Sequence, residues 1–209
     1  MRGRILDRLL LLVGIACLGT YIVFTVQAKI YQHQLDASFE SMVEHEKAEH
    51  EKEKPAPPPP HAKSPLLEVA PVLGEGDMVG RLSIPRLDVS VMVLEGIASR
   101  TLRLGAGHIP GTAFPGFGGN TGIAAHRDSF FRALAKIEPN DHIRFQSVNK
   151  TVDYRVVSTE IVLPDDVEPL KPSKDETLTL VTCYPFYYIG PAPKRFIVKA
   201  TVDSATVSR

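Results

Sequence analysis

The first pattern in the chain is a long apolar segment near the N-terminus. Residues 9–26 contain no charged side chain, and Arg2, Arg4 and Arg8 precede them. An apolar helix of this length nearly spans the hydrocarbon core of a bilayer, which requires roughly 17–25 residues. Arginine side chains next to such a segment are retained on the cytoplasmic side. The pattern therefore predicts a single membrane span with its N-terminus inside.

This segment is interpreted as an uncleaved anchor, with the rest of the chain outside the membrane. Residues 1–8 are assigned to the cytoplasm and residues 9–28 to the transmembrane helix. A cleaved signal peptide is the alternative, since Val26-Gln27-Ala28 resembles a small-residue cleavage site. The apolar region of a signal peptide is usually about 7–15 residues long, which is shorter than this segment and favours the anchor.

A polar region follows the anchor and is predicted to be a stalk over residues 29–65. Leu35, Phe39, Met42 and Val43 keep helical spacing at its start. After them comes a run in which almost every residue is charged, and then a proline-rich run. Charged runs are solvated and proline-rich runs are extended and semi-rigid. The combination is typical of a spacer between a membrane and a folded domain.

Beyond the stalk, residues 66–209 are predicted to form one folded domain made mainly of β-strands. Most segments here are short, rich in β-branched residues and bounded by Gly, Pro, Asn or Asp. The predicted strands cover residues 79–84, 89–94, 121–125, 142–147, 151–163, 177–182 and 196–203, with a short helix at 128–136 and a helical turn at 99–104. Many short strands with few helices are typical of a closed barrel or a sandwich.

Composition narrows the class of partner. Lys and Arg together number 24, as do Asp and Glu, so the net charge is zero and no basic excess indicates a nucleic-acid partner.

Cys17 lies in the apolar segment and Cys183 in the folded domain, which makes a disulfide between them implausible. From composition alone, Cys183 is interpreted as a small buried apolar residue. The residues around it indicate chemistry instead.

Three segments carry side chains that suit acyl transfer. Small residues lead to His126 at a predicted strand end, a β-prone run ends on Cys183, and Arg195 opens the last strand. A thiol becomes a good nucleophile beside a base or a cation, and histidine titrates in the required pH range. Arginine supplies permanent charge and several N–H donors for a developing oxyanion. Together these residues suit a cysteine acyl-transfer site.

These segments resemble the signature regions of the sortase family. Residues 107–127, from Gly-His-Ile-Pro-Gly-Thr to Ile-Ala-Ala-His-Arg, resemble the histidine region, and residues 177–183, Thr-Leu-Thr-Leu-Val-Thr-Cys, resemble the cysteine signature. Arg195 matches the arginine that opens the last strand, and the Cys-Tyr-Pro-Phe continuation is similar to class D. The resemblance covers residues 78–202. It departs from the common pattern at Ala125, where many members carry glycine.

The resemblance implies a closed eight-stranded β-barrel with His126, Cys183 and Arg195 as catalytic residues. It implies a cysteine transpeptidase that cleaves a Leu-Pro-x-Thr-Gly-like (LPxTG-like) sorting signal in secreted proteins. Cys183 would hold the threonine acyl group as a thioester, His126 would move protons, and Arg195 would bind the oxyanion or position the peptide. An amine, such as that of a peptidoglycan stem peptide, would accept the acyl group and so anchor the surface protein.

Four further residues are predicted to bind the peptide substrate. Val167 and Leu170 would shape an apolar groove for its Leu-Pro part. Thr182, just before the cysteine, would assist through a hydroxyl hydrogen bond, and Tyr184 follows the cysteine. These assignments rest on the order of residues around the two predicted strands.

No cofactor or metal site is predicted. Five acidic residues flank the connection before the cysteine strand: Asp165, Asp166, Glu168, Asp175 and Glu176. Some sortases bind calcium in this neighbourhood, and hard cations prefer clustered carboxylates. A solvated acidic loop is the favoured interpretation, with calcium as the alternative.

Two other functions remain open on the same residues. A cysteine hydrolase on this scaffold would release the acyl group to water, and a non-catalytic membrane-tethered domain would bind the peptide without using Cys183. His108 is interpreted as a surface or locally hydrogen-bonded turn residue and His142 as a surface residue. Arg127 would lie on the opposite strand face from His126, so Arg195 is the preferred catalytic arginine.

Overall fold

The computed structural model describes residues 2–52 and 71–203, and its first element is a single long helix. This helix, α1, covers Arg2–Lys52 and contains the predicted membrane segment. In the described part of the chain, one helix is long and apolar enough to cross a membrane, with the candidate span within Asp7–Ala48. The large apolar side chains of residues 9–26 are exposed. The helix is therefore consistent with the predicted membrane anchor.

The rest of the described chain consists of eight strands and four short helical segments. The strands are β1 (Met78–Ile84), β2 (Val89–Glu95), β3 (Ala106–His108), β4 (Asn120–Ala124), β5 (His142–Gln146), β6 (Thr151–Val162), β7 (Thr177–Tyr184) and β8 (Lys194–Val202). The helical segments are α2 (Ser99–Leu104) and the 3-10 turns Pro85–Leu87, Arg132–Lys136 and Glu168–Leu170.

The strands close into one barrel in the order β1-β2-β3-β4-β7-β8-β6-β5. Two neighbouring pairs, β2–β3 and β4–β7, are parallel, and the others are antiparallel. The predicted closed eight-stranded barrel is confirmed.

Two details differ from the sequence prediction. Strand β3 is absent from the predicted set, because a run of three residues next to glycine carries no alternation to detect. The helix predicted at residues 128–136 is wrong in its first half, where the structure has turns, and only Arg132–Lys136 forms a 3-10 helix. Phe131 and Leu134 of this segment are fully buried, and their packing holds the segment against the barrel although it forms only a short helix.

The barrel interior is filled by alternate residues of the strands. In β5, Ile143 and Phe145 are buried, whereas His142 and Arg144 are exposed. Strands β2 and β4 are instead buried along most of their length. Together the strands form one apolar core, in which the largest fully buried side chain is that of Tyr154. Full burial of a large apolar side chain stabilises a fold by about 1.5–3 kcal/mol. This core supports the strand ends on which the functional residues lie.

The part of α1 beyond the apolar segment packs against the outside of the barrel. Phe39 and Val43 are buried together with Met92 of β2. Partly buried side chains border this cluster, namely Leu35, Met78 and Val148. Arg81 of β1 adds ion pairs to Asp36 at 3.1 Å and Glu40 at 3.3 Å.

This contact changes the interpretation of the stalk. Residues 29–52 belong to α1, and part of them is attached to the barrel rather than forming a free spacer. The helical spacing of Phe39 and Val43 has a physical partner, the outward-facing Met92, which the sequence pattern does not identify. The proline-rich part of the predicted stalk lies outside the described residues.

Candidate active site

The parallel pairing of β4 and β7 brings His126 and Cys183 to the same end of the barrel. Ala124 is the register partner of Val181, and the Ala125 N–H donates to the Val181 carbonyl at 3.2 Å. His126 lies two residues after Ala124, and Cys183 lies two residues after Val181. Both are partly exposed. Because parallel strands run in the same direction, this register puts both residues at the same end of the barrel.

The antiparallel pairing of β7 and β8 places Arg195 on the other side of Cys183. The two residues are direct register partners. The Arg195 guanidinium donates to the backbone carbonyls of Ala192 at 3.3 Å and Lys194 at 3.0 Å. A guanidinium carries five N–H donors, so these two bonds leave donors for a further acceptor. Cys183 and Arg195 therefore lie in β7 and β8, and His126 lies two residues after β4, at the same end of the barrel.

Thr182 lies in the barrel interior, beside the end of β4. It is 2% exposed, and its hydroxyl donates to the Ala125 carbonyl at 2.8 Å. This bond joins the residue before Cys183 to the residue before His126. The part that Thr182 plays in substrate binding stays a prediction.

Arg127, the residue after His126, holds the connection between β7 and β8. Its guanidinium donates to the carbonyls of Pro185 at 2.9 Å, Tyr188 at 2.8 Å and Gly190 at 3.1 Å. It also lies 5.7 Å from the centroid of the Tyr188 ring. The chain that follows the cysteine is thus tied to the residue that follows the histidine. The sequence contains no signal for this role beyond the alternation that directs Arg127 away from His126.

Tyr184 belongs to an aromatic cluster beside the cysteine. Its ring stacks on Phe196 with centroids 6.3 Å apart and meets Phe186 edge-on at 6.0 Å. Phe186 and Phe196 are in turn 5.2 Å apart. Phe186 and Phe196 pack against the barrel core, and Tyr184 is partly buried, so the cluster covers the end of the barrel core at the residue after Cys183.

Val167 and Leu170 lie in the connection between β6 and β7, and they differ in exposure. Val167 is 66% exposed, whereas Leu170 packs over β4. A Cβ on Gly122 would come within 2.9 Å of Leu170 Cδ2, so the absence of a side chain at Gly122 lets Leu170 pack close to the strand. One predicted groove residue thus projects into solvent and the other contacts the barrel.

Two residues that the sequence analysis missed fix this connection. The Asn120 side-chain amide donates to the carbonyls of Pro169 and Lys171, both at 2.9 Å, and its oxygen accepts from the Thr179 hydroxyl at 2.7 Å. The Lys199 ammonium donates to the same Pro169 carbonyl and to Thr179 Oγ1. Burial lowers the pKa of Lys199. Polar residues within strands carry no sequence signal for such contacts.

Glu168 and Glu176, two of the acidic residues of this region, make local contacts. Glu176 accepts hydrogen bonds from the Gly116 N–H at 2.7 Å and the Tyr154 hydroxyl at 2.8 Å. Burial, together with the nearby Glu176 carboxylate, raises the pKa of Tyr154. Glu168 pairs with Lys171. Within residues 2–52 and 71–203, no group of three or more His, Cys, Asp or Glu is placed to hold a metal ion.

The remaining domain histidines lie outside the cluster formed by His126, Cys183 and Arg195. His108 is buried, with Nδ1 2.6 Å from a Glu95 carboxylate oxygen and Nε2 3.0 Å from the Ala113 carbonyl. Its ring stacks on Phe114 at 4.5 Å, so it has a structural role. His142 is exposed and lies 3.6 Å from Asp203.

The site at this end of the barrel contains a cysteine, a histidine and an arginine. These are the side chains that cysteine acyl-transfer chemistry requires. The family model described as Sortase domain matches residues 82–203, more than half of the chain. The chain therefore belongs to the sortase family.

Individual relatives agree with this assignment. The chain is 36% identical over 125 residues to Sortase D of Bacillus subtilis, a match that covers 59% of this chain and 63% of that protein. A Sortase D5 transpeptidase of Clostridium perfringens has a TM-score of 0.58 at 28% identity, covering 63% of this chain and 82% of that one. For Sortase A of Corynebacterium diphtheriae the TM-score is 0.58 at 28% identity, with 65% of each chain covered. The chain spans less than two thirds of the length of the curated relatives it matches.

Proposed function

We propose that this chain is a membrane-anchored cysteine transpeptidase that joins proteins bearing an LPxTG-like sorting signal to an amine. The observation that carries the proposal is the strand register, which places Arg195 opposite Cys183 and His126 at the end of the parallel neighbour of β7. Family membership supports transpeptidation in general, and the solved relative from C. perfringens is named a transpeptidase. The sorting motif and the residue roles are our own assignments.

In the first half-reaction, the Cys183 thiolate attacks the threonine carbonyl carbon of the sorting signal. A C–S bond forms, and the carbonyl electron pair moves onto oxygen, where an N–H of Arg195 stabilises the negative charge. When the pair returns, the C–N bond to glycine breaks. The His126 imidazolium donates its proton to the departing amine. The product is a thioester on Cys183 and a free C-terminal fragment.

In the second half-reaction, an amine attacks the thioester carbonyl carbon. His126 accepts the proton that this amine loses, and the C–S bond breaks to restore the thiolate. The acceptor is an amine of the cell envelope, such as that of a peptidoglycan stem peptide. Water in place of the amine would give hydrolysis, because Cys183 is partly exposed to solvent.

The apolar part of the signal binds along the surface beside the cysteine. Tyr184 provides an aromatic wall there, and the β6–β7 connection supplies Val167 and Leu170. Contact between an exposed apolar side chain such as Val167 and a Leu-Pro segment is favourable, because it removes apolar surface of both from water. In this assignment Asn120 and Lys199 do not touch the peptide but hold the connection in place.

The proposed topology has the N-terminus in the cytoplasm and the barrel outside the membrane. The chain contains two cysteines, and Cys17 lies within the membrane segment. A membrane-impermeant maleimide applied to intact cells that express the Cys17→Ala variant should therefore label Cys183. Labelling that requires cell lysis would contradict the topology.

Ligation by the purified full chain tests the chemistry. A pool of pentapeptides related to LPxTG is supplied with and without an amine, and the thioacyl adduct on Cys183 is sought by mass spectrometry. Cys183→Ala, His126→Ala and Arg195→Ala should each lower ligation by at least about 10²-fold, because each removes a group that acts in the transition state.

Two matched variants serve as controls for this experiment. Cys17→Ala and His142→Ala remove a cysteine and a histidine that lie away from the site, and both should ligate normally. Ligation by Cys183→Ala would overturn the proposal. Release of the fragment with no amine-linked product, even at saturating amine, would establish the hydrolase instead.

A further inference from the structure

The docked part of α1 begins directly outside the membrane span. Between Arg8 and Lys29 the chain carries no charge, and Tyr31 follows; lysine and tyrosine are typical residues of the membrane interface. Gln32 lies four residues past Ala28, the end of the predicted span, which is a rise of about 6 Å along a helix. The headgroup layer on each side of a bilayer is about 5–8 Å thick. Gln32 therefore lies at headgroup level.

Gln32 binds the barrel at this level. Its side-chain oxygen accepts the Met92 N–H at 2.8 Å, and its amide donates to the Leu104 carbonyl at 2.5 Å. A Cβ on Gly105 would come within 2.6 Å of the Met92 carbonyl oxygen and 3.0 Å of the Gln32 amide nitrogen, so glycine at this position lets the chain pass close to both. Because Leu104 is the last residue of α2, this contact sets α2 beside the headgroup end of α1.

The opposite end of the docked face is farther from the membrane. Val43, eleven residues after Gln32, packs near Val148 beyond the end of β5. Eleven helical residues correspond to a rise of about 16 Å. The direction of α1 thus distinguishes a membrane-proximal side of the barrel, which includes α2, from a distal side, which includes Val148.

The proximal side carries exposed basic and apolar residues. Arg100 and Arg103 of α2 are exposed, and neither makes an ion pair or a side-chain hydrogen bond with any other residue of 2–52 and 71–203. Ile97, two residues before α2, is 45% exposed. Basic side chains next to an exposed apolar side chain are suited to a bilayer surface with anionic lipids.

We propose that Ile97, Arg100 and Arg103 form a contact surface for anionic phospholipid headgroups, which holds the barrel against the membrane in one orientation. The arginines bind lipid phosphates, for which the guanidinium offers paired N–H donors, and Ile97 inserts at the level of the headgroups. The inference rests on the proposed membrane anchoring by α1, but not on the proposed catalytic chemistry.

The absence of tryptophan from the chain allows a direct depth measurement. The full chain with Ile97→Trp is reconstituted into vesicles of phosphatidylcholine with phosphatidylglycerol, and fluorescence is quenched by lipids that carry a nitroxide at the headgroup. Phe117→Trp is the matched control, because Phe117 is 38% exposed and lies on the distal side. Its ring contacts Lys150, and Lys150 is hydrogen-bonded to Ser147, the residue before Val148. Quenching in the Ile97→Trp protein should exceed that in the control by about twofold or more.

A charge variant tests the role of the arginines. In the Ile97→Trp background, Arg100→Gln with Arg103→Gln should reduce quenching to the level found in pure phosphatidylcholine vesicles. Lys136→Gln with Lys174→Gln removes two exposed cations elsewhere on the domain and should leave quenching unchanged. Amide exchange tests the same contact without substitutions. In the unmodified protein, residues 97–104 should exchange more slowly in anionic than in neutral bilayers.

Two different failures can be separated. If alkaline extraction removes the full chain from vesicles, the proposed membrane anchoring itself is wrong. The headgroup contact alone is wrong, and the anchor stands, if the chain stays in the vesicles but Ile97→Trp is quenched no more than Phe117→Trp. The same conclusion follows if the arginine variant is quenched as strongly as its parent.

Discussion

At the scale of single residues, a buried hydroxyl connects the two strands that carry the proposed nucleophile and base. Thr182 precedes Cys183, Ala125 precedes His126, and the Thr182 hydroxyl donates to the Ala125 carbonyl at 2.8 Å. Both Thr182 and Ala125 are buried. The hydrogen bond therefore acts one residue before each functional side chain and restricts how far the two strand ends can separate.

Thr182→Val should uncouple these strand ends while it keeps the side-chain shape. An unsatisfied buried acceptor costs about 1–3 kcal/mol, so the free energy of unfolding should fall by that amount. Ligation should slow by about tenfold, because the reacting groups lose their alignment. Thr182→Ser keeps the hydroxyl and should restore most of the rate. Equal kcat for the valine variant and the unmodified protein, measured on folded protein, would contradict a positioning role.

Arg127 is a second residue that acts through the backbone. Its three hydrogen bonds to carbonyls of the β7–β8 connection are lost in Arg127→Gln. Amide exchange of residues 185–190 should then be faster, because this connection has few other bonds to hold it. Arg132→Gln is a matched control, since Arg132 lies over the ring of Tyr187, at 5.9 Å, in the same connection. Equal exchange in the two variants would show that Arg127 does not order this segment.

At the scale of elements, the β6–β7 connection is held by side chains from the barrel wall. Asn120 of β4 and Lys199 of β8 both bind the carbonyl of Pro169 from strands on either side of β7. Thr179 of β7 bonds to both of them. The connection that carries Val167 and Leu170 is thus fixed to three strands, which stabilises one arrangement of the proposed groove.

The pH dependence of stability tests the Lys199 contact. Burial lowers the pKa of Lys199 below its usual 10.5, so over the interval between the lowered value and 10.5 the unfolded chain binds more protons than the folded one. Stability of the unmodified protein therefore rises with pH across that interval. Lys199→Met lacks this rise, so its free energy of unfolding relative to the unmodified protein should fall as pH increases toward 10.5.

Urea unfolding at several pH values up to 10.5 provides the measurement. Lys174→Met is the control, because Lys174 is an exposed lysine in the same connection, and its difference from the unmodified protein should stay constant with pH. A difference for Lys199→Met that is independent of pH, or that moves in the opposite direction, would show that the pKa of Lys199 is not lowered in the folded state.

Strand β7 illustrates how far the sequence predicts this fold. Its alternation of threonine with leucine and valine identifies the strand and places a cysteine at its end. Neither that run nor the segment before His126 reveals that β4 and β7 pair in parallel, since the two are more than fifty residues apart. The family resemblance implies a closed barrel with His126, Cys183 and Arg195 as catalytic residues, but the parallel pairing itself is seen only in the structure. The contacts of Asn120, Lys199 and Arg127 depend on three-dimensional neighbours and are not predictable from local patterns.

At the scale of the whole molecule, α1 extends from the apolar segment into its packing contact with the barrel. The helix is continuous from the apolar residues to Phe39 and Val43, which are buried against Met92. In the proposed membrane topology, this interface would limit motion of the barrel relative to the bilayer and would set the distance of Cys183 from it.

Phe39→Ala in the full chain should release the barrel from α1. Truncation of a fully buried phenylalanine removes about 3–5 kcal/mol in a protein core, and Phe39, which is 1% exposed, is the largest member of a cluster with only two other buried residues. The Met92 amide, whose hydrogen is accepted by the Gln32 side chain, should exchange faster as the helix detaches. The barrel core should keep its protection, because its residues belong to a separate cluster.

Met42→Ala is the control for this variant, since Met42 lies on the same turn but is 39% exposed and outside the cluster. Hydrogen exchange by mass spectrometry or NMR in bilayer nanodiscs measures the Met92 amide in both variants. Unchanged exchange at Met92 in Phe39→Ala would mean that the helix is held by Gln32 and the Arg81 ion pairs alone. Faster exchange throughout the barrel would mean that α1 is part of the folding unit instead of a docked element.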